Sequence, residues 1–172
     1  MFRWVWLSGL VIALDLGTKA MATAWLSYAQ PVPVLPFFNL TLLHNTGAAF
    51  SFLADASGWQ RWFFIALAGV VSFCLLIWLS RLQQGERWLA IALALVLGGA
   101  VGNLYDRIVH GYVVDFIHVY YESYHFPAFN IADCAISIGA FMMAIDIFME
   151  SSRGGVRVES VNHSGTTNNN NH

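Results

Sequence analysis

The 172-residue chain is 58% hydrophobic, 15% aromatic and only 10% charged, with a net charge of −2. That balance leaves too little polar surface for a water-soluble globule and marks an integral membrane protein. Lys19 is the single lysine and no basic patch interleaves with aromatics, which excludes a nucleic-acid partner and leaves membrane lipid as the natural surroundings.

Four segments approach the ~20 mostly apolar residues that a membrane crossing needs. The first runs from Trp4 to Trp25. Met1-Phe2-Arg3 and the downstream Ala22-Thr23-Ala24 imitate a cleavable secretory signal, but Asp15 and Lys19 interrupt the stretch that such a signal keeps uncharged, so an uncleaved first helix is expected. The same two residues are four apart on one helix face, where opposite charges offset each other's desolvation, and they read as a structural pair.

Tyr28 to Arg61 is long and apolar for a connector. The run Pro31-Val32-Pro33-Val34-Leu35-Pro36 forbids a helix, Asn39 to Leu42 partly alternates as a strand does, and Asn45-Thr46-Gly47 signals a turn. A small extended cradle resting on the membrane is expected there, between the first and second helices. The second span, Trp62 to Leu79, has no charge between Arg61 and Arg81. The third, Trp88 to Tyr105, carries Gly98-Gly99-Ala100 and Gly102, small residues that let helices approach closely. The fourth runs from Asn130 to Met149, and residues 151–172 form a polar, asparagine-ended stretch expected to be disordered. Trp4, Trp25, Trp62, Trp78 and Trp88 fall near span ends as an interfacial belt. The expected architecture is an all-α, four-helix membrane domain over residues 1–150 with that extended/β cradle. Arg3, Arg81, Arg87, Arg153 and Arg157 gather on one side and place both termini in the cytoplasm.

Cys74 and Cys134 lie in apolar segments without Cys-x-x-Cys spacing and read as core thiols. His44, His110, His118 and His125 show no recurring ligand spacing, so no metal or other cofactor is expected. The carboxylates Asp115 and Asp133 are the costly residues. At a bilayer centre an ionised side chain costs at least ~2.5 kcal/mol, and such groups usually mark proton, ion or substrate chemistry. They lie 18 positions apart, across a connection long enough to fold back. If they converge, they share one proton, the arrangement of aspartic proteases. Each alone also reads as a helix cap or ion-pair partner. Asn103 and Arg107, four apart, share a helix face, and Asn130 precedes Asp133 by three. Asn130 equally reads as a cap, and Asp106 beside Arg107 as a surface pair.

Read together, Asp15-Leu-Gly-Thr-Lys19, His44-Asn45-Thr46-Gly47-Ala48-Ala49-Phe50-Ser51, the block Gly98 to Arg107, Val113-Val114-Asp115-Phe116-Ile117 and Phe129-Asn130-Ile131-Ala132-Asp133 resemble signal peptidase II, the lipoprotein signal peptidase family. The resemblance implies an aspartic endopeptidase of the bacterial inner membrane that removes the signal peptide from diacylglyceryl-prolipoprotein just before the lipidated cysteine. It implies a catalytic dyad of Asp115 and Asp133 at the periplasmic leaflet, a substrate-contacting shell of Asn45, Asn103, Arg107 and Asn130, and inhibition by globomycin at the same aspartates. Asp15 and Lys19 match positions that support the fold. A monomer is expected. The rival classes are a small proton-coupled transporter, which also uses intramembrane carboxylates but places them at mid-bilayer with inverted repeats, and a scaffold, which needs no polar cluster.

Overall fold

The computed structural model describes residues 2–47 and 59–164. Its elements are α1 (Val5–Trp25), β1 (Val32–Leu35), β2 (Phe38–Asn45), α2 (Trp59–Arg81), α3 (Arg87–Val109), β3 (Val113–Tyr121), β4 (Tyr124–His125) and α4 (Ile131–Ser164). All four helices are long and apolar enough to cross a membrane. Each expected span is present; α2 and α3 overrun the expected ends by one to four residues, and α4 runs on well past Met149.

α3 is the axis of the bundle and packs against α1, α2 and α4. Water is not available to drive helices together inside a bilayer, so close packing and interhelical hydrogen bonds must do so. The glycines supply the closeness. A side chain at Gly98 would strike Val11 and the Ser8 carbonyl on α1, one at Gly99 the Ala132 carbonyl on α4, and one at Gly102 would lie 2.5 Å from the Asp15 carboxylate. The Ser8 hydroxyl adds a bond, donating to the Ala94 carbonyl at 2.8 Å. Ala90, Ala92, Leu93 and Ala94 are fully enclosed, whereas Leu10, Leu14, Phe63, Val70, Phe73 and Phe141 face outward, as lipid-facing residues do.

The cradle is a four-stranded antiparallel sheet in the order β1-β2-β3-β4. Pro33 is tolerated because β1 is the edge strand, where a missing N–H breaks no ladder. The expectation of a cradle built between α1 and α2 is therefore half of the observed sheet. β3 and β4 come from the connection between α3 and α4, and Asp115 lies within β3 rather than beside a span. The cause is long-range pairing: Leu43 aligns with Asp115 and Asn45 with Val113, with a bulge between Leu40 and Leu43. A second pairing returns the chain to the bundle. The Ile117 N–H donates to the Phe129 carbonyl at 2.9 Å and the Phe129 N–H to the Ile117 carbonyl at 3.0 Å, bringing the start of α4 against β3.

α4 continues to Ser164, so residues 151–164, expected as an unstructured tail, extend the helix, and residues 165–172 lie outside the described part. The stretch 48–58 of the expected cradle also lies outside it.

Gly99→Val should destabilise the bundle by about 1–3 kcal/mol, the usual cost of forcing bulk into a closed contact. Gly9→Ala, with nothing within 4 Å of the added carbon, should not. Equilibrium unfolding in detergent micelles compares the two.

Candidate active site

The site is built upward from a buried charge cluster at one end of the bundle. Asp15 and Lys19 of α1 are 0% and 3% exposed, and Asp106 of α3 is 1% exposed. An ammonium has three donors. Lys19 uses all three, on Asp15 Oδ2 at 2.7 Å, Asn103 Oδ1 at 2.9 Å and Asp106 Oδ2 at 3.0 Å. Both carboxylates also accept backbone N–H groups. Asp15 Oδ1 takes the Ala132 N–H in the first turn of α4 at 2.9 Å, and Asp106 Oδ2 takes the Val114 N–H of β3 at 3.0 Å. One lysine thereby ties α1, α3, β3 and α4. The reading of Asp15 and Lys19 as a pair captures part of this cluster, but Asp106 is not a surface partner of Arg107. Gly99, Gly102, Asn103 and Asp106 follow the spacing of a single helix face, and that periodicity was the signal that Asp106 faces inward.

Above the cluster, two asparagines carry the geometry to the two aspartates. Asn103 accepts from Lys19 and donates through Nδ2 to Asp133 Oδ1 at 2.8 Å. Asn130 precedes α4 and is fully buried. Its Oδ1 accepts the Asp133 N–H at 2.9 Å while the Asn130 N–H donates to Asp133 Oδ2 at 3.3 Å, a reciprocal cap of the helix start. Its Nδ2 donates to Asp115 Oδ1 at 2.7 Å. Capping and site-building are the same act here, and Asp115 and Asp133 are held one asparagine apart.

Their environments differ. Asp133 is partly exposed in the first turn of α4, where free N–H groups and the helix dipole favour negative charge. Asp115 is 2% exposed. Burial, then the charge of Asp133, raise its carboxyl from 3.8 to about 6, against hydrogen bonds from Asn45 and Asn130 that favour the ionised form.

Arg107 is half-buried, with Nη1 donating to its own helix at the Asn103 carbonyl, 3.3 Å away, and its guanidinium 5.3 Å above the Phe64 ring. Its charge acts on Asp133, Asp115 and Asp106. Asn45, besides its bond to Asp115, accepts the Gly47 N–H at 2.8 Å and closes the turn after β2. All six residues of the expected dyad and shell thus converge where β2, β3, the end of α3 and the start of α4 meet. Of the histidines, His110 Nδ1 approaches the charge cluster, 3.8 Å from Asp106 Oδ1, and His44, His118 and His125 lie in the sheet. His44 stacks on Tyr112 at 3.9 Å, and His125 Nδ1 lies 3.1 Å from His118 Nε2. Among the described residues no three His, Cys, Asp or Glu side chains gather as metal ligands.

Comparison with known proteins gives a consistent picture. The family model described as signal peptidase (SPase) II matches residues 7–149. The lipoprotein signal peptidase of Acinetobacter baumannii is 60% identical over 151 residues, covering 87% of this chain and 86% of that protein. That of Pseudomonas aeruginosa is 58% identical over 153 residues, covering 88% and 90%. A solved structure described as a bacterial membrane enzyme, determined in meso at 1.9 Å, superposes with a TM-score of 0.77 at 30% identity, covering 86% of this chain and 93% of the other.

Two outcomes follow from the electrostatics. Removing one partner of a buried ion cluster leaves the others uncompensated, so Lys19→Met should cost about 3–5 kcal/mol, measured by unfolding in micelles. Asp115 behaves oppositely. Its folded value of about 6 exceeds the ordinary 3.8, so its ionisation penalises folding fully above about pH 6 and not below 3.8. Asp115→Asn should therefore raise the unfolding free energy at about pH 8 by up to about 3 kcal/mol, seen as a higher thermal midpoint, and converge with the parent protein near pH 4. Equal midpoints at both pH values would contradict the buried-carboxyl assignment.

Proposed function

The chain belongs to the signal peptidase II family, and from that premise we propose that it cleaves diacylglyceryl-prolipoprotein just before the lipidated cysteine, with Asp115 and Asp133 as its catalytic dyad. It is an integral membrane protease of an aspartic family whose members remove prolipoprotein signal peptides. The observation that carries the site assignment is the pair of carboxylates joined through Asn130, one buried and one at a helix N-terminus.

In this reading Asp115 holds the shared proton and Asp133 is the ionised base. Asp133 takes a proton from water as the hydroxyl attacks the scissile carbonyl, and Asp115 gives its proton to the carbonyl oxygen, forming a neutral diol. Asp133 then passes its proton to the leaving nitrogen. Asp115 recovers one from a diol hydroxyl as the C–N bond breaks. Asn103 and Asn130 orient the carboxylates, while Arg107 and Asn45 contact the substrate. On the same reading, globomycin is expected to inhibit this chain by binding at the two aspartates.

The substrate's chemistry supports a bacterial inner-membrane setting. A signal peptide is an apolar helix and its diacylglyceryl group stays in lipid, so the water-activating pair must work at membrane depth. Arg3, Arg81 and Arg87 lie at the bundle end opposite the site, which favours cytoplasmic termini and a periplasmic dyad. One chain supplies every residue of the site, which favours a working monomer.

The test is cleavage of a diacylated lipobox peptide by the purified protein. Asp115→Asn and Asp133→Asn should each lower kcat by about 10²–10⁴-fold while the protein still folds. For the unaltered enzyme kcat/KM should be bell-shaped, falling on the basic side as pH rises through about 6. Retained cleavage by both variants would overturn the dyad.

A further inference from the structure

The end of α3 that carries Arg107 is gripped from α2. Arg61, in the first turn of α2, donates from Nε to the Arg107 carbonyl at 2.9 Å and from Nη2 to the Ile108 carbonyl at 2.7 Å. These belong to the last turn of α3, where carbonyls lack helical N–H partners and a cation is favoured by the helix dipole. A guanidinium suits two adjacent carbonyls because its donors form a rigid fork. The helix stops just beyond, at Gly111, whose φ of +86° turns the chain into β3. A side chain there would lie 3.3 Å from Arg61 Nη1, so the arginine also occupies the inside of that turn.

Three residues further along α2, Phe64 completes the grip. Its ring lies under the Arg107 guanidinium at 5.3 Å, within the range of a cation–π contact. The same ring occupies the space where Gly47 would place a side chain, 2.5 Å from Cε2, and Gly47 closes the turn bonded to Asn45. Arg61 thus fixes the backbone of Arg107, and Phe64 fixes its side chain together with the Asn45 turn. Among the described residues, the Lys19, Asn103 and Asn130 hydrogen bonds that orient the two aspartates are made without Arg61 or Phe64.

We propose that Arg61 and Phe64 are positioning residues for the substrate, holding the Arg107 guanidinium and the Asn45 turn in register with the dyad. This rests on the peptidase reading above. The expected signature is a binding effect separated from the chemical step. With the diacylated lipobox peptide, Arg61→Ala should raise KM about ten-fold and leave kcat within about three-fold. The pH profile should stay bell-shaped, since the Lys19, Asn103 and Asn130 bonds are intact, with its limbs moved upward, if at all, as the Arg107 charge leaves the dyad. Arg61→Lys, whose ammonium reaches one carbonyl, should recover part of the loss. Phe64→Leu, which keeps apolar volume and removes the ring face, should raise KM in the same direction.

A double-mutant comparison separates positioning from general support. The KM effect of Arg61→Ala should vanish in an Arg107→Ala background, because the group being positioned is gone. An effect that adds in full to Arg107→Ala, or one that falls on kcat with KM unchanged, would overturn the proposal. If Arg61→Ala does not fold, Arg61→Lys and Phe64→Leu carry the same comparison. Failure of the unaltered protein to cleave the peptide, or cleavage by Asp115→Asn and Asp133→Asn, would instead strike the peptidase reading.

Discussion

The ammonium of Lys19 is the group on which the rest of the site depends. A lone charge at this depth is expensive, and three charges together are tolerable only when each donor and acceptor is met. Lys19 has three donors and three acceptors around it, on Asp15, Asn103 and Asp106. The two carboxylates pass the constraint outward through backbone N–H groups, Asp15 to Ala132 of α4 and Asp106 to Val114 of β3. Those two residues directly precede Asp133 and Asp115. The buried cluster therefore fixes the main chain beside each aspartate.

Asn130 resolves what would otherwise be a conflict. Two carboxylates brought close repel, and the repulsion must be held by something stiffer than an exposed side chain. A fully buried asparagine that both caps α4 and donates to Asp115 supplies that stiffness, because moving it would uncap the helix. The consequence is chemical asymmetry. Asp115 in the strand is enclosed and its carboxyl is raised to about 6, while Asp133 is partly exposed at a helix N-terminus.

Much of this was legible in the chain. The four spans follow from apolar runs bounded by Arg61, Arg81, Arg87 and the tryptophans, and the glycines of α3 make the helix contacts their size suggests. Asn130 caps α4 and bonds to Asp115 at once. Asp106 was hidden because Arg107 beside it offered a plausible local partner, whereas its true partner is 87 positions away on α1. β3 was hidden for a related reason. Val113 to Tyr121 is rich in β-branched and aromatic residues, but a strand becomes a strand only when β2 and Phe129 supply its hydrogen bonds, and neither is local. Arg61 likewise counts as an outer-loop charge until the end of α3 is placed beside it.

Strand register joins these observations. Leu43 opposite Asp115 and Leu40 opposite Ile117 give Asp115 apolar neighbours on its own face of the sheet, beside the lipid-facing bundle. A slip by one residue would turn Asp115 to the other face and offer Val114 or Phe116 to Asn130 instead. The bulge between Leu40 and Leu43 makes the sheet locally irregular, so β2 alone would hold this register weakly. The Val114 N–H bond to Asp106 removes the freedom to slip, since breaking it would strip a buried carboxylate of one of its donors. The charge cluster beneath the site thus decides which side chain β3 presents to Asn130, and with it whether two aspartates can meet at all.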